Sequence, residues 1–128
     1  MSKKTVVTTP RAAQPIGPYS LGIRHGKLIF TSGAAGVDPR TGKLVDGGIE
    51  AETRQTLTNL SNILEGGGSS LAKVLKTTVF LKDISEFAKM NAVYAEFFVQ
   101  DPPARSTIQA AALPMGAAVE IEAVAYVD

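Results

Sequence analysis

The run from Ala117 to Val127 alternates with a period of two. Val119, Ile121, Ala123, Ala125 and Val127 share one face, while Glu120, Glu122, Val124 and Tyr126 share the other. The first face is wholly apolar, so the segment reads as a strand lying on a core. The second face begins with carboxylates and ends with Val and Tyr, and is therefore not a plain solvent face. It can line a pocket or meet another subunit, and the alternation leaves both open.

The elements before it have distinct periods. Pro15-Ile16-Gly17-Pro18-Tyr19 is a rigid extended entry, because each proline restricts the residue before it. Ser20 to Arg24 and Lys27 to Ser32 flank His25-Gly26 in the pattern of a β-hairpin. Gly33, Gly36, Pro39 and Gly42 then punctuate a turn-rich loop, with a tight turn over Asp38-Pro39-Arg40-Thr41-Gly42. From Gly48 to Glu65 the period becomes helical: Thr53, Leu57, Leu60 and Leu64 fall on one face, with Glu50 and Arg54 a surface pair four apart. Gly66-Gly67-Gly68 ends that helix, glycine being suited to the left-handed C-cap. Val74 to Lys82 reads as a strand. Ser85 then caps a second helix, with Glu86 in its first turn and Phe87, Met90, Tyr94, Phe97 and Phe98 as its apolar face. A strand from Arg105 to Ala111 precedes the last one. No repeat or linker divides the chain, so residues 1–128 are expected to form one domain.

This order predicts an α+β layer, one mixed sheet with two helices on one side. The sheet's other side, which includes Val124, has no cover from its own chain, and association between copies is the economical way to bury it.

Several chemistries are excluded by residue type. There is no cysteine, which removes disulfides, thiolate nucleophiles and sulfur-ligated metal sites. The one histidine, His25, reads as an exposed turn residue, so neither a Ser-His-Asp triad nor a two-histidine metal site is expected. The formal net charge of +1 gives no electrostatic case for nucleic acid or an anionic membrane. No apolar run has the length of a membrane span, and Met1-Ser2-Lys3-Lys4 followed by Thr5 to Thr9 lacks a signal core, so a cytoplasmic protein is expected. An enzyme built from this chain works with arginine, carboxylate, hydroxyl, backbone dipoles and water.

Arg105 is the first candidate for a site. It emerges from the stiff Pro102-Pro103 segment, and its guanidinium fork can hold a carboxylate through two charge-assisted hydrogen bonds. That carboxylate is either a ligand's or that of Glu120 or Glu122 on a neighbouring strand, and spacing alone leans slightly to the internal pair. Glu120 is the second candidate, able to orient water or move protons; Glu122 reads as a solvated edge residue. Asn91 interrupts the apolar face of the second helix and needs hydrogen-bond partners, for which a nearby loop is the simpler source than a ligand. Tyr19, Ser32 and Gly33 are ambiguous alone. The Gly66 to Gly68 run lacks a phosphate-loop lysine and follows a helix, so it is not a nucleotide signature.

Together, Ile16-Gly17-Pro18-Tyr19-Ser20, Thr31-Ser32-Gly33, Lys76 to Asp83, Asn91-Ala92-Val93-Tyr94, Pro103-Ala104-Arg105-Ser106 and Val119-Glu120-Ile121-Glu122-Ala123 resemble the RidA proteins of the YjgF-type reactive intermediate deaminase family across nearly the whole chain. The resemblance implies a homotrimer of chorismate-mutase-like α+β fold, its sheets packed inward and its clefts between subunits. It implies cofactor-free hydrolysis of enamine and imine intermediates, such as 2-aminoacrylate/2-iminopropionate and 2-iminobutanoate, to 2-oxo acids and ammonia. Arg105 would grip the substrate carboxylate, Glu120 would position water, and the backbone at Gly33 and Thr107 would contact polar groups. Ser32 belongs to the same segment as Gly33; Tyr19 would close the rim, with Asn91 in support.

Two positions depart from the pattern. Thr107 stands where many RidA members carry cysteine, and Ala34 is smaller than the residue expected beside Ser32-Gly33. Alternatives in other classes are a deaminase of a larger substrate such as 2-aminomuconate, a non-catalytic ligand-binding or chaperone-like trimer, and an RNA-acting protein, the last disfavoured by charge.

Overall fold

A computed structural model describes residues 3–128. The chain runs β1 (Thr5–Val7), β2 (Gly22–His25), β3 (Leu28–Thr31), β4 (Ala34–Ala35), β5 (Val37–Asp38), β6 (Lys43–Leu44), α1 (Gly48–Gly66), β7 (Val74–Leu81), α2 (Phe87–Phe97), β8 (Ala104–Gln109) and β9 (Val119–Tyr126). The main sheet has the order β1-β2-β3-β9-β7-β8, with β4 also paired to β9. Only β7 and β8 are parallel, joined through α2 as a parallel crossover requires. Both helices pack on one face of this mixed sheet, as the sequence pattern predicts.

The alternation of β9 holds along its length. Val119, Ile121, Ala123, Ala125 and Val127 are all buried beneath the helices, while Glu120, Glu122, Val124 and Tyr126 stand half-buried or exposed on the other side. Helix α1 contributes Leu57, Leu60 and Leu64, each with no exposed surface, at the expected spacing. Each such side chain contributes about 1.5–3 kcal/mol through burial. The helix-free face carries Phe30 from β3, Ile108 from β8 and Tyr126 from β9, all substantially exposed.

Local details differ from the sequence reading in five places. The β2–β3 turn is Gly26-Lys27, one residue later than expected, because Gly26 takes φ 61° at its first position. Part of the turn-rich loop is ordered: β5 and β6 form a small hairpin around the tight turn, whose Thr41 and Gly42 amides donate to Asp38 O. Arg54 does not pair with Glu50 along α1 but reaches Glu96 of α2 at 2.7 Å, tying the helices together. Ser85 does not cap α2. Asp83 accepts hydrogen bonds from both the Ser85 amide (2.9 Å) and its hydroxyl (2.7 Å), starting a short 3-10 turn that leads into the helix. Within Gly66-Gly67-Gly68, only Gly68 is left-handed, at φ 89°. Gly67 is required for space instead, since a methyl there would sit 2.6 Å from Ile29 Cδ1.

Among the described residues, no helix is long and apolar enough to cross a membrane.

Candidate functional site

The register separates the two leading candidates. Arg105 of β8 pairs with Thr77 of β7, whose buried side chain faces the helices, so Arg105 stands on the helix side of the sheet. Glu120 of β9 pairs with Phe80 of β7 and stands on the opposite face. With β7 between their strands and the sheet between their side chains, they form no ion pair within one chain. Nor does Arg105 meet Glu122, which shares the Glu120 face. Among the described residues Arg105 has no carboxylate partner. The internal pair favoured by spacing is thus corrected by strand order.

Glu120 lies in a cavity of about 750 Å³ with Tyr19, Ser32, Gly33, Ala34 and Met115 on its lining. The strand geometry explains the grouping. Phe30 pairs with Val124, but Ala34 pairs with Ile121, so four steps along one strand oppose three along the other. The extra residue is a bulge, a device that re-aims side chains beside functional sites. Thr31 Oγ1 accepts the Ala123 amide at 2.9 Å across this irregularity. The bulge brings Gly33 so close to Glu120 that a methyl at Gly33 would lie 2.6 Å from the Glu120 carboxyl carbon. Gly33 is the seat on which the carboxylate rests.

Two further bonds hold the surroundings. The Ser32 hydroxyl donates to Ser20 O at 2.5 Å, tying the cavity wall to the entry segment. Asn59, buried on α1, donates to Ala35 O and Val37 O at 3.1 and 2.8 Å, anchoring the β4–β5 wall. Glu52, also buried, accepts the Ala118 amide at 2.8 Å and so fixes the start of β9 two residues before Glu120. Burial raises the Glu120 carboxyl above the usual glutamate value of 4.5, and the Glu122 charge raises it further.

Arg105 lies in a second, open cleft with Asn91, Tyr94, Phe98, Pro102 and Pro103. Its guanidinium carbon is 4.7 Å from the Tyr94 ring centroid and 5.4 Å from that of Phe87. The Asn91 Oδ1 is buried and has no hydrogen-bond partner, contrary to the expected bond to a loop. Thr107 shares the helix-facing side of β8 with Arg105 and stands opposite Val79, but it lines neither cavity.

The seven candidates therefore fall into two half-sites, an acid half with Tyr19, Ser32, Gly33 and Glu120, and a basic half with Arg105 and Asn91, with Thr107 beside the latter. Sequence reasoning passed over Tyr94 and Phe87 as site residues, treating them as core. The signal was present, since both lie on the α2 stripe that holds Asn91, but which strand that stripe covers was not. Glu52 and Met115 were also missed; Met115 takes φ 63° at the cavity mouth, and no local pattern announces it.

The family model described as Endoribonuclease L-PSP matches residues 9–127. A RutC family protein of Pyrococcus horikoshii is 49% identical over 96% of this chain and 98% of the relative. Reactive Intermediate Deaminase A, chloroplastic, of Arabidopsis thaliana is 45% identical over 96% of this chain and 66% of the relative. The 2-iminobutanoate/2-iminopropanoate deaminase of Homo sapiens is 43% identical over 95% of this chain and 89% of the relative. Among solved structures, RidA from the Antarctic bacterium Psychrobacter sp. PAMC 21119 superposes with a TM-score of 0.93 at 37% identity, over 96% of this chain and 99% of that one. E. coli TdcF with bound serine superposes with a TM-score of 0.92, also at 37% identity, over 97% of this chain and 99% of that one.

Proposed function

Because the chain belongs to the Endoribonuclease L-PSP family, that of the RidA/YjgF proteins, we propose that it is a hydrolytic deaminase of small carboxylate-bearing imines and enamines, such as 2-iminopropionate and 2-iminobutanoate. The observation that carries this reading is the unpartnered Arg105. A half-buried guanidinium held on aromatic rings without a protein carboxylate is arranged to receive one from a ligand. The human relative is named for such substrates, and the TdcF relative holds serine, itself a small carboxylate.

The reaction asks little of the protein. Water adds across the C=N bond, the nitrogen takes a proton, and the resulting carbinolamine expels ammonia to leave the 2-oxo acid. Arg105 fixes the carboxylate end. Glu120 accepts a hydrogen bond from the attacking water, and its raised pKa brings it nearer the range where a general base works. The backbone at Gly33 and Thr107 contacts the substrate's polar groups, Ser32 lines the acid half, Tyr19 closes the rim, and Asn91 stands near the carboxylate end in a supporting role. Orientation of this kind supplies much of the acceleration for an already electrophilic carbon.

One chain holds the two halves on opposite faces of its sheet, so the working site forms when Arg105 of one protomer meets the Glu120 half of another. A homotrimer of single-domain chains, sheets inward and clefts between subunits, buries Phe30 and Tyr126 and joins the halves. The reading supposes a protein acting in the cytoplasm.

A second reading, a larger substrate such as 2-aminomuconate, is favoured by one observation. The cavity beside Glu120, about 750 Å³ and bordered by the small Ala34, is roomier than a three- or four-carbon imine needs.

The test is a coupled assay in which a pyridoxal-phosphate dehydratase acts on threonine or serine and the free imine is followed to 2-oxo acid. Wild type accelerates the second step and Arg105→Ala loses nearly all of that acceleration with its assembly intact. Equal rates with and without the protein refute the activity on these substrates. An active Arg105→Ala removes the arginine from its role.

A further inference from the structure

The support under Arg105 is built from three elements and closes on itself. Thr77, fully buried on β7, is the residue paired in register with Arg105 on β8. Its Oγ1 lies 2.7 Å from the Tyr94 hydroxyl, which reaches it from α2. The Tyr94 ring, only 6% exposed, is wedged against Phe98 at a centroid distance of 4.6 Å and a tilt of 39°. The Arg105 guanidinium lies over that ring, with Phe87 from the start of the same helix as a second ring. The strand neighbour of Arg105 thus anchors the ring that carries Arg105.

Such a support differs in kind from an ion pair. A carboxylate neighbour would fix the guanidinium but occupy its donors. Aromatic faces attract the cation through the ring quadrupole and leave the N–H edge free for a bidentate ligand. Holding the side chain beforehand also removes part of the ordering cost that binding otherwise incurs.

We propose that Tyr94 and Phe87 are positioning residues that hold Arg105 ready for a carboxylate and thereby set KM rather than kcat. The inference rests on the reading of Arg105 as the substrate's carboxylate anchor. Tyr94 contributes the larger share, because its ring is nearer, more buried and itself hydrogen-bonded.

Two measurements on the assembled protein test it. In the coupled imine assay, Tyr94→Leu raises KM roughly five- to thirty-fold, the range expected for a largely desolvated cation–π contact. Its kcat stays within about twofold, since orientation of the water on Glu120 is untouched. Phe87→Leu raises KM by roughly two- to fivefold, and Tyr94→Phe, which keeps the ring, restores KM to near the wild-type value. Independently of activity, NMR of the Arg105 Nε–H group shows a ring-current displacement and restricted motion in the wild type. Tyr94→Leu returns both toward those of a free arginine.

Should Tyr94→Leu fail to fold, Phe87→Leu carries the test, because Phe87 is 39% exposed and its truncation leaves the core intact. An unchanged KM in the Leu variants beside an inactive Arg105→Ala overturns the positioning role alone. A fully active Arg105→Ala overturns the carboxylate reading and the KM effect with it. An Arg105 Nε–H signal of free-arginine character in the wild type overturns the positioning role whatever the kinetics show.

Discussion

Replacing Gly33 with alanine tests the link between the bulge and the acid half of the site. The φ of Gly33 is not in the left-handed region, so the backbone accepts the substitution. The new methyl, however, would lie 2.6 Å from Glu120 Cδ and 2.9 Å from its Cγ, closer than the 3.0 Å below which real Cβ contacts essentially never fall. The obstructing atoms are the far end of a flexible side chain, so the glutamate yields rather than the strands. Restoring an ordinary contact of at least 3.4 Å moves the carboxyl group by about 1 Å. Moving to a less favoured rotamer costs about 0.5–1.5 kcal/mol, and the loss of glycine freedom in the unfolded chain offsets about 0.4–1 kcal/mol of that. Global stability therefore changes by less than about 1 kcal/mol. A misplacement of about 1 Å costs a rate factor of about 10², or about 2.7 kcal/mol of transition-state stabilisation. Gly33→Ala is thus expected to shift its Tm by no more than a few degrees and lose about a hundredfold in kcat/KM in the coupled imine assay, approaching Glu120→Gln. Activity within threefold of wild type, with the carboxylate shown by crystallography to have moved, would refute the claim that its placement matters. An unmoved carboxylate would refute the steric argument itself.

Other outcomes follow from the same structure. Glu120 is raised by burial and by Glu122, so the folded chain holds this proton more tightly than the unfolded one. Its stability contribution therefore falls as pH climbs from the ordinary 4.5 through the folded value, while activity that needs the carboxylate rises over the same window; Glu122→Gln should shift the acid limb of the kcat/KM profile to lower pH. Thr53 is fully buried and its Oγ1 has no partner. Thr53→Val removes that unpaired hydroxyl and should stabilise the chain by about 1 kcal/mol, read as a rise of a few degrees in Tm. Native mass spectrometry is expected to give three times the chain mass of 13.4 kDa, and a monomer at micromolar concentration would leave the two half-sites apart.

Legibility followed the range of the interaction. The helix over 48–66 and the strand over 74–81 were readable because their periods are local and apolar residues mark the buried face of each, while the buried Glu52, Asn59 and Thr77 carry no such local mark. The second helix was readable too, although its cap was assigned to Ser85 when Asp83 caps a short 3-10 turn that precedes it. Side-chain pairs were read least well. Arg54 meets Glu96, forty-two positions away, instead of the neighbour Glu50, because the packing of α1 on α2 brings Glu96 within reach. Asn91 was expected to bond a loop, yet it keeps a buried oxygen free although the Pro102-Pro103 loop borders the same cleft, since proline offers no backbone N–H to donate.

By itself the sequence determined the two-faced last strand, the layer of helices on one side of a sheet, and which residue types carry the chemistry. Those follow from alternation and composition, which each segment displays without reference to the others. Strand order belongs to the tertiary structure alone. Placing β7 between β8 and β9 put Arg105 and Glu120 on opposite faces, which dissolved the ion pair that their spacing suggested and left the guanidinium on aromatic rings. The physical reason is that a strand's own period says which residues share a face, while only its partners say which side that face meets.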